Sequence, residues 1–267
     1  MIPLEDTFAD VLGKAMKGLA LGEAEAAAKS GVAEEKLRSL LRGQYDECSV
    51  RQLAACLGLR ADALAKIGRG EYVPTTPETT NLVQVTTNYG GMTVNAYVLW
   101  DRENRGAAIF DTGADAAPIL EIVDREELDV VGIFLTHSHA DHIAALSVLQ
   151  HELGVEAWSS EQEQAPGTRT FRPGDLFNAG HHFIRSRLTP GHSPGGTTFV
   201  IEGQLLSAAI TGDALFAGSI GGVRGNYSAA LSAIRHEILS LPDETIICPG
   251  HGPMTTVGQE KENNPFF

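Results

Sequence analysis

The sequence has few cysteines and no long hydrophobic run, and both shortages narrow the class of protein. Three cysteines among 267 residues, none in a CxxC pair, argue against a disulfide framework. The longest apolar runs, such as residues 130–135, are far shorter than the ~20 residues that cross a bilayer. The N-terminus is acidic where an export signal requires positive charge. We therefore expect a cytoplasmic protein with no membrane partner.

Basic residues are also scarce, but only in the second part of the chain. The net charge is −14, from 20 Lys and Arg against 34 Asp and Glu. Each sign contributes 10 residues up to position 70, so the whole excess of acid lies beyond that position. A strongly negative surface repels phosphates, which disfavours nucleic acid as the substrate of this second part.

Hydrophobic spacing divides the chain into two parts. Residues 1–72 show apolar residues at helical spacing and predict a small all-α domain. Residues 73–81, with two prolines, favour a linker. Residues 82–267 alternate β-rich segments with helical patterns, which predicts an α/β sandwich with helices outside packed sheets. Because every candidate site residue lies in this third range, a chain starting near residue 77 is expected to keep its activity.

Four side chains that commonly bind metals fall within six residues of the sequence HSHADH. His137 and His139 follow a buried strand pattern, so the loop can fold both onto one ion. Asp141 and His142 are displaced enough to face another ion. Imidazole and carboxylate are natural ligands for zinc, manganese or ferrous iron.

Three more candidates lie further along the chain, each beside glycine at the end of an apolar segment. They are His192 in TPGHSPGG, Asp213 in ITGDALF and His251 in CPGHG. Two divalent cations held close together lower the pKa of a bound water towards neutrality and polarise a carbonyl. Such a site needs no serine or cysteine nucleophile. We therefore expect two divalent ions, zinc in the first place, with iron or manganese as alternatives.

These motifs, in this order, resemble those of the metallo-β-lactamase superfamily, and FDTG at 110–113 resembles its opening Asp motif. The resemblance covers residues 82–267 and implies an αββα sandwich. It also implies one metal on His137, His139 and His192, another on Asp141, His142 and His251, and Asp213 bridging both. Asp141 and Asp213 would be catalytic, and Asp111 would support the site without binding metal.

Several features favour the hydrolases of small thioesters within this superfamily. The antibiotic-cleaving members lack a bridging aspartate, and only 37 residues separate Asp213 from His251, too few for the extra domain of the nucleases. The tail PGHGPMTTVGQEKENNPFF resembles short enzymes of the glyoxalase II type, also called hydroxyacylglutathione hydrolase-like. The family's usual arginine after Gly221 is replaced by Gly222 and Val223, so Arg224 is the candidate anion contact for the substrate.

Two other functions stay open from the sequence. One is a persulfide dioxygenase with one iron on His137, His139 and His192. The other is a DNA-binding regulator with a metallo-hydrolase sensor, because residues 18–67 resemble the phage-repressor type of helix-turn-helix, with residues 33–41 in the recognition position. That segment begins with Glu34 and Glu35, which repel phosphates, so the helical domain is alternatively a module for dimerisation or for contacts with the substrate.

Overall fold

Two six-stranded β-sheets pack face to face in the computed structural model, which describes residues 2–75, 78–203 and 206–267. The first sheet follows chain order, with β1 to β3 antiparallel and β3 to β6 parallel. Its strands are β1 (Leu82–Tyr89), β2 (Met92–Trp100), β3 (Gly106–Phe110), β4 (Asp129–Phe134), β5 (Ala157–Ser160) and β6 (Arg169–Phe171).

The second sheet contains one parallel pair of strands among antiparallel ones. Its strands are β7 (Leu176–Ala179), β8 (His182–Leu188), β9 (Thr197–Glu202), β10 (Ser207–Gly212), β13 (Ile246–Pro249) and β14 (Thr255–Thr256). They run in the order β14, β13, β10, β9, β8, β7, with β10 parallel to β13. A separate hairpin joins β11 (Leu215–Phe216) to β12 (Ser219–Ile220).

Side-chain alternation along the strands divides the apolar residues among three layers. Ile210 and Cys248 point into the core between the sheets, whereas Ala209 and Ile247 point to the outer face of the second sheet. The first sheet is covered by α6 (Ala117–Arg125), α7 (Ala140–Ile143) and α8 (Leu146–Leu153). Helices α9 (Tyr227–Glu237) and α10 (Val257–Asn263) lie on the outer side of the second sheet. The predicted α/β sandwich is therefore confirmed.

The N-terminal helices pack on that same outer face of the second sheet. They are α1 (Phe8–Gly18), α2 (Glu23–Ser30), α3 (Glu34–Leu41), α4 (Glu47–Leu57) and α5 (Ala61–Gly68). Leu12, Leu53 and Leu64 of these helices belong to one buried cluster with Ala209 and Ile247 of the sandwich. The helical unit thus shares a core with the sandwich, which argues against the expectation that a chain starting near residue 77 would keep its activity.

The segment between the two parts is fixed to α10 by hydrogen bonds. Tyr72 donates to the buried carboxylate of Glu260 over 2.6 Å, and Thr75 N donates to Gln259 Oε1 over 2.7 Å. Residues 76 and 77 of the predicted linker lie outside the described residues.

Both basic residues of α3, the predicted recognition segment, are paired with acidic ones. Arg38 bonds to Glu23 over 2.9 Å and also pairs with Glu34, and Lys36 lies 3.5 Å from Asp46. Within the described ranges, no helix is long and apolar enough to cross a membrane.

Candidate metal centre

The candidate ligands all follow strand ends, and the fold brings the seven of them together. His137 lies just after β4 in the first sheet, and His192, Asp213 and His251 follow β8, β10 and β13 in the second. Because β4, β10 and β13 end at the same edge of the sandwich, loops from both sheets meet there. His139, Asp141 and His142 are brought to the same place by α7, which begins directly after His139.

Three histidines form a first group of convergent ring nitrogens. His139 Nδ1 lies 3.0 Å from His137 Nε2 and 2.8 Å from His192 Nε2. A tetrahedral ion with metal–nitrogen bonds of about 2.0–2.1 Å spaces its nitrogen ligands by about 3.4 Å. The observed spacings are a few tenths of an ångström shorter, so these three atoms fit one divalent ion.

Asp141, His142 and His251 form a second group of the same size. Asp141 Oδ2 lies 3.6 Å from His142 Nε2 and 3.4 Å from His251 Nε2. His142 and His251 are almost fully buried, whereas Asp141 is partly exposed. One carboxylate and two imidazoles make a donor set that suits zinc, manganese or ferrous iron.

Asp213 lies between the two groups. Its Oδ2 is 3.3 Å from His192 Nε2 of the first group, and its Oδ1 is 3.3 Å from His142 Nε2 of the second. Its Oδ2 is also 3.5 Å from His251 Nε2 of the second group. Among the described residues, His142 Nε2 and Asp213 Oδ1 are buried polar atoms that lack a hydrogen-bond partner. Buried polar atoms rarely remain unpaired, and a cation between these two would satisfy both. The residues present therefore fit a pair of divalent ions.

Asp111 lies behind this site and orients His142. Its Oδ2 faces His142 Nδ1 at 2.8 Å and accepts from the Thr136 hydroxyl, while its Oδ1 accepts from Thr136 N. Asp111 also lies within metal-binding distance of His137 and His142. Its oxygens are already occupied by three donors, so we interpret it as a supporting residue, as the sequence suggested, because it fixes the His142 tautomer that leaves Nε2 free.

Glu163 is a residue of the site that the sequence did not single out. Its Oε1 accepts from the backbone and the hydroxyl of Ser138, between His137 and His139, at 2.9 and 2.6 Å. Its Oε2 accepts from Gly195 N, three residues after His192, at 2.9 Å. One half-buried carboxylate thus joins the two loops that carry the first group. Its place after β5, 21 residues beyond His142 and in an acidic stretch, carries no sequence signal of this role.

Strand β2 holds the loop around His251 through three alternate residues. Thr93 O faces His251 Nδ1, Asn95 donates to Pro249 O and Gly252 O at 3.0 and 2.9 Å, and Tyr97 donates to Pro249 O at 2.7 Å. These residues lie on one face of the strand, as period-two alternation requires. The first sheet therefore positions a candidate ligand that belongs to the second.

Comparison with known proteins identifies the family. The model of the "Metallo-beta-lactamase superfamily" matches residues 89–251, which contain all seven candidate ligands. The chain belongs to the metallo-β-lactamase superfamily.

Two curated relatives and one solved structure illustrate the range of this superfamily around the chain. The hydroxyacylglutathione hydrolase GloC of Haemophilus influenzae is 37% identical over 65% of this chain and 92% of that protein. The mitochondrial persulfide dioxygenase ETHE1 of Mus musculus is 33% identical over 63% of this chain and 69% of that protein. The crystal structure of the B3 metallo-β-lactamase BLEG-1 has a TM-score of 0.62 and 30% identity over 69% of this chain and 98% of that one.

The histidines of the two groups differ in their pKa values. Burial lowers the pKa of His137 and of His192, because a charged imidazole loses its hydration. Both rings are therefore neutral at pH 7, as ligands must be.

In the second group the carboxylates dominate the electrostatics. Burial alone lowers the pKa of His142, but Asp111 and Asp213 outweigh it and raise that pKa to about 10. Burial likewise opposes the charge on His251, and hydrogen bonds to Asp141 and Asp213 raise its pKa to about 11. A metal ion must displace these protons, so its binding to the second group releases protons.

A cavity of about 410 Å³ opens beside the first group of this superfamily site. His139, His192, Arg224 and Asn226 contribute to its lining. The structure thus brings Arg224, the candidate anion contact, to the wall of a cavity that reaches two candidate ligands. Asn226 caps the N-terminus of α9 by accepting from Ala229 N at 2.9 Å.

Proposed function

We propose that the protein is a metal-dependent hydrolase of small thioesters, of the hydroxyacylglutathione kind. The observation that carries this proposal is Asp213, whose carboxylate lies 3.3 Å from a ring nitrogen of each group, His192 Nε2 and His142 Nε2. A shared carboxylate offsets the mutual repulsion of two cations and keeps them close. The resemblance of the C-terminal tail to glyoxalase II enzymes and the 37% identity to a hydroxyacylglutathione hydrolase support the choice of substrate.

Two bound divalent ions would supply hydroxide at neutral pH and polarise the carbonyl of the acyl group. The reaction consumes one water: a C–O bond forms at the acyl carbon, the C–S bond breaks, and a carboxylic acid and a thiol leave. Asp141 lies at the partly exposed side of the second group, where its carboxylate would orient the attacking oxygen. Asp213 would hold the reacting centre between the groups.

The cavity beside His139 and His192 would receive the substrate. We propose that the guanidinium of Arg224 binds a carboxylate of the thiol carrier, because Arg matches carboxylate geometry with paired donors. The N-terminus of α9, an 11-residue helix, begins at the same wall and adds favourable positive potential for an anion.

A persulfide dioxygenase is the second candidate, and the 33% identity to ETHE1 favours it. That activity would need a single iron on His137, His139 and His192 and would consume oxygen. The convergence of Asp141, His142 and His251 favours two ions instead, because a one-iron enzyme would have no need for that second group.

Metal analysis and a substrate screen together test the proposal. The protein is purified without added metal, its metal content is measured, and it is assayed on thioesters, a β-lactam and a persulfide, with oxygen uptake recorded. We expect two divalent ions per chain, zinc in the first place, and turnover of a thioester. We expect Asp141→Asn to lower that turnover by orders of magnitude, since the carboxylate charge is lost. One iron per chain with oxygen uptake would favour the dioxygenase, and fully active Asp141→Asn would contradict the two-metal mechanism.

DNA binding through residues 18–67 is a separate proposal with weaker support. The ion pairs of Arg38 and Lys36 with acidic neighbours offset the positive charge of α3 itself, which weakens its attraction for phosphates. A gel-shift assay at low salt tests it, because non-specific affinity is greatest there.

A further inference from the structure

The N-terminal segment lies against the loop that carries His251. If Gly252 had a Cβ atom, it would be 3.1 Å from Glu5 N and 3.6 Å from Pro3 O. Gly252 has a φ of +75°, so both its conformation and this close approach favour glycine. Residues 3–5 therefore touch the turn directly after a candidate ligand.

Lys14 of α1 reaches the hairpin β11–β12 through an almost buried ion pair. Its side chain is 21% exposed and pairs with Asp6, which is 8% exposed. Lys14 Nζ also donates to Ile220 O over 2.8 Å and lies 5.0 Å from the centre of the Phe216 ring. The Phe216 ring in turn packs edge-on against the His251 ring, with centroids 5.7 Å apart. The hairpin thus contacts α1 on one side and a candidate ligand on the other.

The chain that follows Ile220 touches both Asp213 and His192. A Cβ atom on Gly221 would be 1.9 Å from Asp213 O and 3.1 Å from His192 Nδ1, so no other residue fits there without movement. Gly222 O faces His192 Nδ1 at 3.2 Å and accepts a hydrogen bond from the Nδ1–H tautomer, which leaves Nε2 free for a metal. Arg224 N then donates to Gly191 O over 2.7 Å. Residues 220–224, the glycine loop, thus form the back wall of the first group.

We propose that Lys14, held by Asp6, is a positioning residue of the metal centre. Its bond to Ile220 O fixes the start of the glycine loop, and the loop orients His192 and supports Asp213. The N-terminal helical unit is then a part of the active-site wall. Only an effect of Lys14 on turnover rests on the proposed function. The effect of Lys14 on metal affinity can be measured without any substrate.

The test compares metal affinity in variants of Lys14. Lys14→Met keeps the apolar stem and removes the donor, but it leaves Asp6 as an unpaired buried charge that destabilises the fold. The double variant Lys14→Met with Asp6→Asn removes that charge. Lys14→Arg restores a cation and donors, and Lys17→Met is the matched control, an exposed position on the same helix.

Zinc affinity is measured by competition with a chelator, and thermal unfolding of the metal-free proteins is measured in parallel. We expect the double variant to fold and to bind zinc at the first group about 10-fold to 100-fold less tightly, as losses of ligand-orienting groups do. We expect Lys14→Arg to recover most of that affinity and Lys17→Met to match the wild type.

Unchanged zinc affinity in the folded double variant overturns the proposal. Wild-type-like folding of Lys14→Arg with zinc affinity as low as that of the double variant also overturns it, because a cation and donors at this position should restore the bond to Ile220 O. Wild-type protein that binds two zinc ions but hydrolyses no thioester would refute the proposed function alone. A drop in zinc affinity in the double variant would still support the role of Lys14.

Discussion

Replacing Asp111 with Asn should weaken metal binding at the second group while leaving the fold intact. The Asp111 backbone has a φ of +54°, a region that Asn tolerates better than most residues, so the exchange adds little strain. The amide oxygen can accept from Thr136 N, as Oδ1 does now. The amide NH₂ then faces His142 Nδ1, which lies 2.8 Å from the present Oδ2. Two donors cannot pair, so His142 must move its proton to Nε2, the atom that would bind metal.

The size of this effect follows from the hydrogen bond that is lost. A hydrogen bond to a charged group contributes about 1.5–3 kcal/mol, and about 1.4 kcal/mol corresponds to a factor of ten. Forcing His142 into the productive tautomer beside the amide forfeits one such bond. Metal affinity at the second group should therefore fall about 10-fold to 100-fold, the range found when ligand-orienting residues are changed.

Zinc titration against a chelator measures this loss directly, with thioester turnover as a second readout. Asp124→Asn is the control, because Asp124 is exposed on α6 and the exchange is the same. The first group should lose less affinity than the second, since Asp111 faces His142 directly and reaches His137 only through the Thr136 hydroxyl. Two zinc ions bound with wild-type affinity in Asp111→Asn would refute the tautomer argument.

Three further changes separate the parts of the centre. Glu163→Gln should weaken zinc binding at the first group about 10-fold to 100-fold, because the amide donor then faces Ser138 N or Gly195 N. A loss of zinc affinity at the second group instead would contradict this role of Glu163. Asp213→Ala should leave fewer than two zinc ions per chain and abolish turnover, and normal metal content would exclude a bridging role. Removing residues 1–72 should give insoluble or metal-free protein, since it exposes the apolar outer face of the second sheet; a soluble, metal-loaded product would show that the sandwich folds alone.

The order of motifs predicted the fold because each motif marks the end of an apolar segment. His137, His192, Asp213 and His251 each follow an apolar segment that forms a strand, and such segments can be read from the sequence. The meeting of these strand ends at one edge followed from the resemblance to a known family. The ligand roles themselves remain predictions, to which the geometry adds convergent atoms at suitable distances.

The contacts that orient the ligands were not predictable, because they join residues far apart in sequence. Glu163 bonds to Ser138 and Gly195, 25 and 32 residues away, and Lys14 bonds to Ile220, 206 residues away. An acidic residue in a loop or a lysine on a helix is usually a solvated side chain. The shared core of the helical unit and the second sheet was missed for the same reason, since helical spacing indicates a buried face but not its partner.

The distribution of the candidate ligands between the sheets would make metal binding a property of the whole fold. The loop and helix after β4 of the first sheet supply His137, His139, Asp141 and His142, and the second sheet supplies His192, Asp213 and His251.

Each group therefore takes side chains from both sheets, and Asp213 lies 3.3 Å from a ring nitrogen of each group. Neither sheet holds a complete group, so an ion in either one links the two layers. Because ions bound only to the native arrangement stabilise it, their binding energy adds to the stability of the packed sandwich. The N-terminal helices pack on the second sheet, which carries His192, Asp213 and His251. A substitution that weakens this packing should therefore lower metal affinity at both groups, because each group has a member in the second sheet.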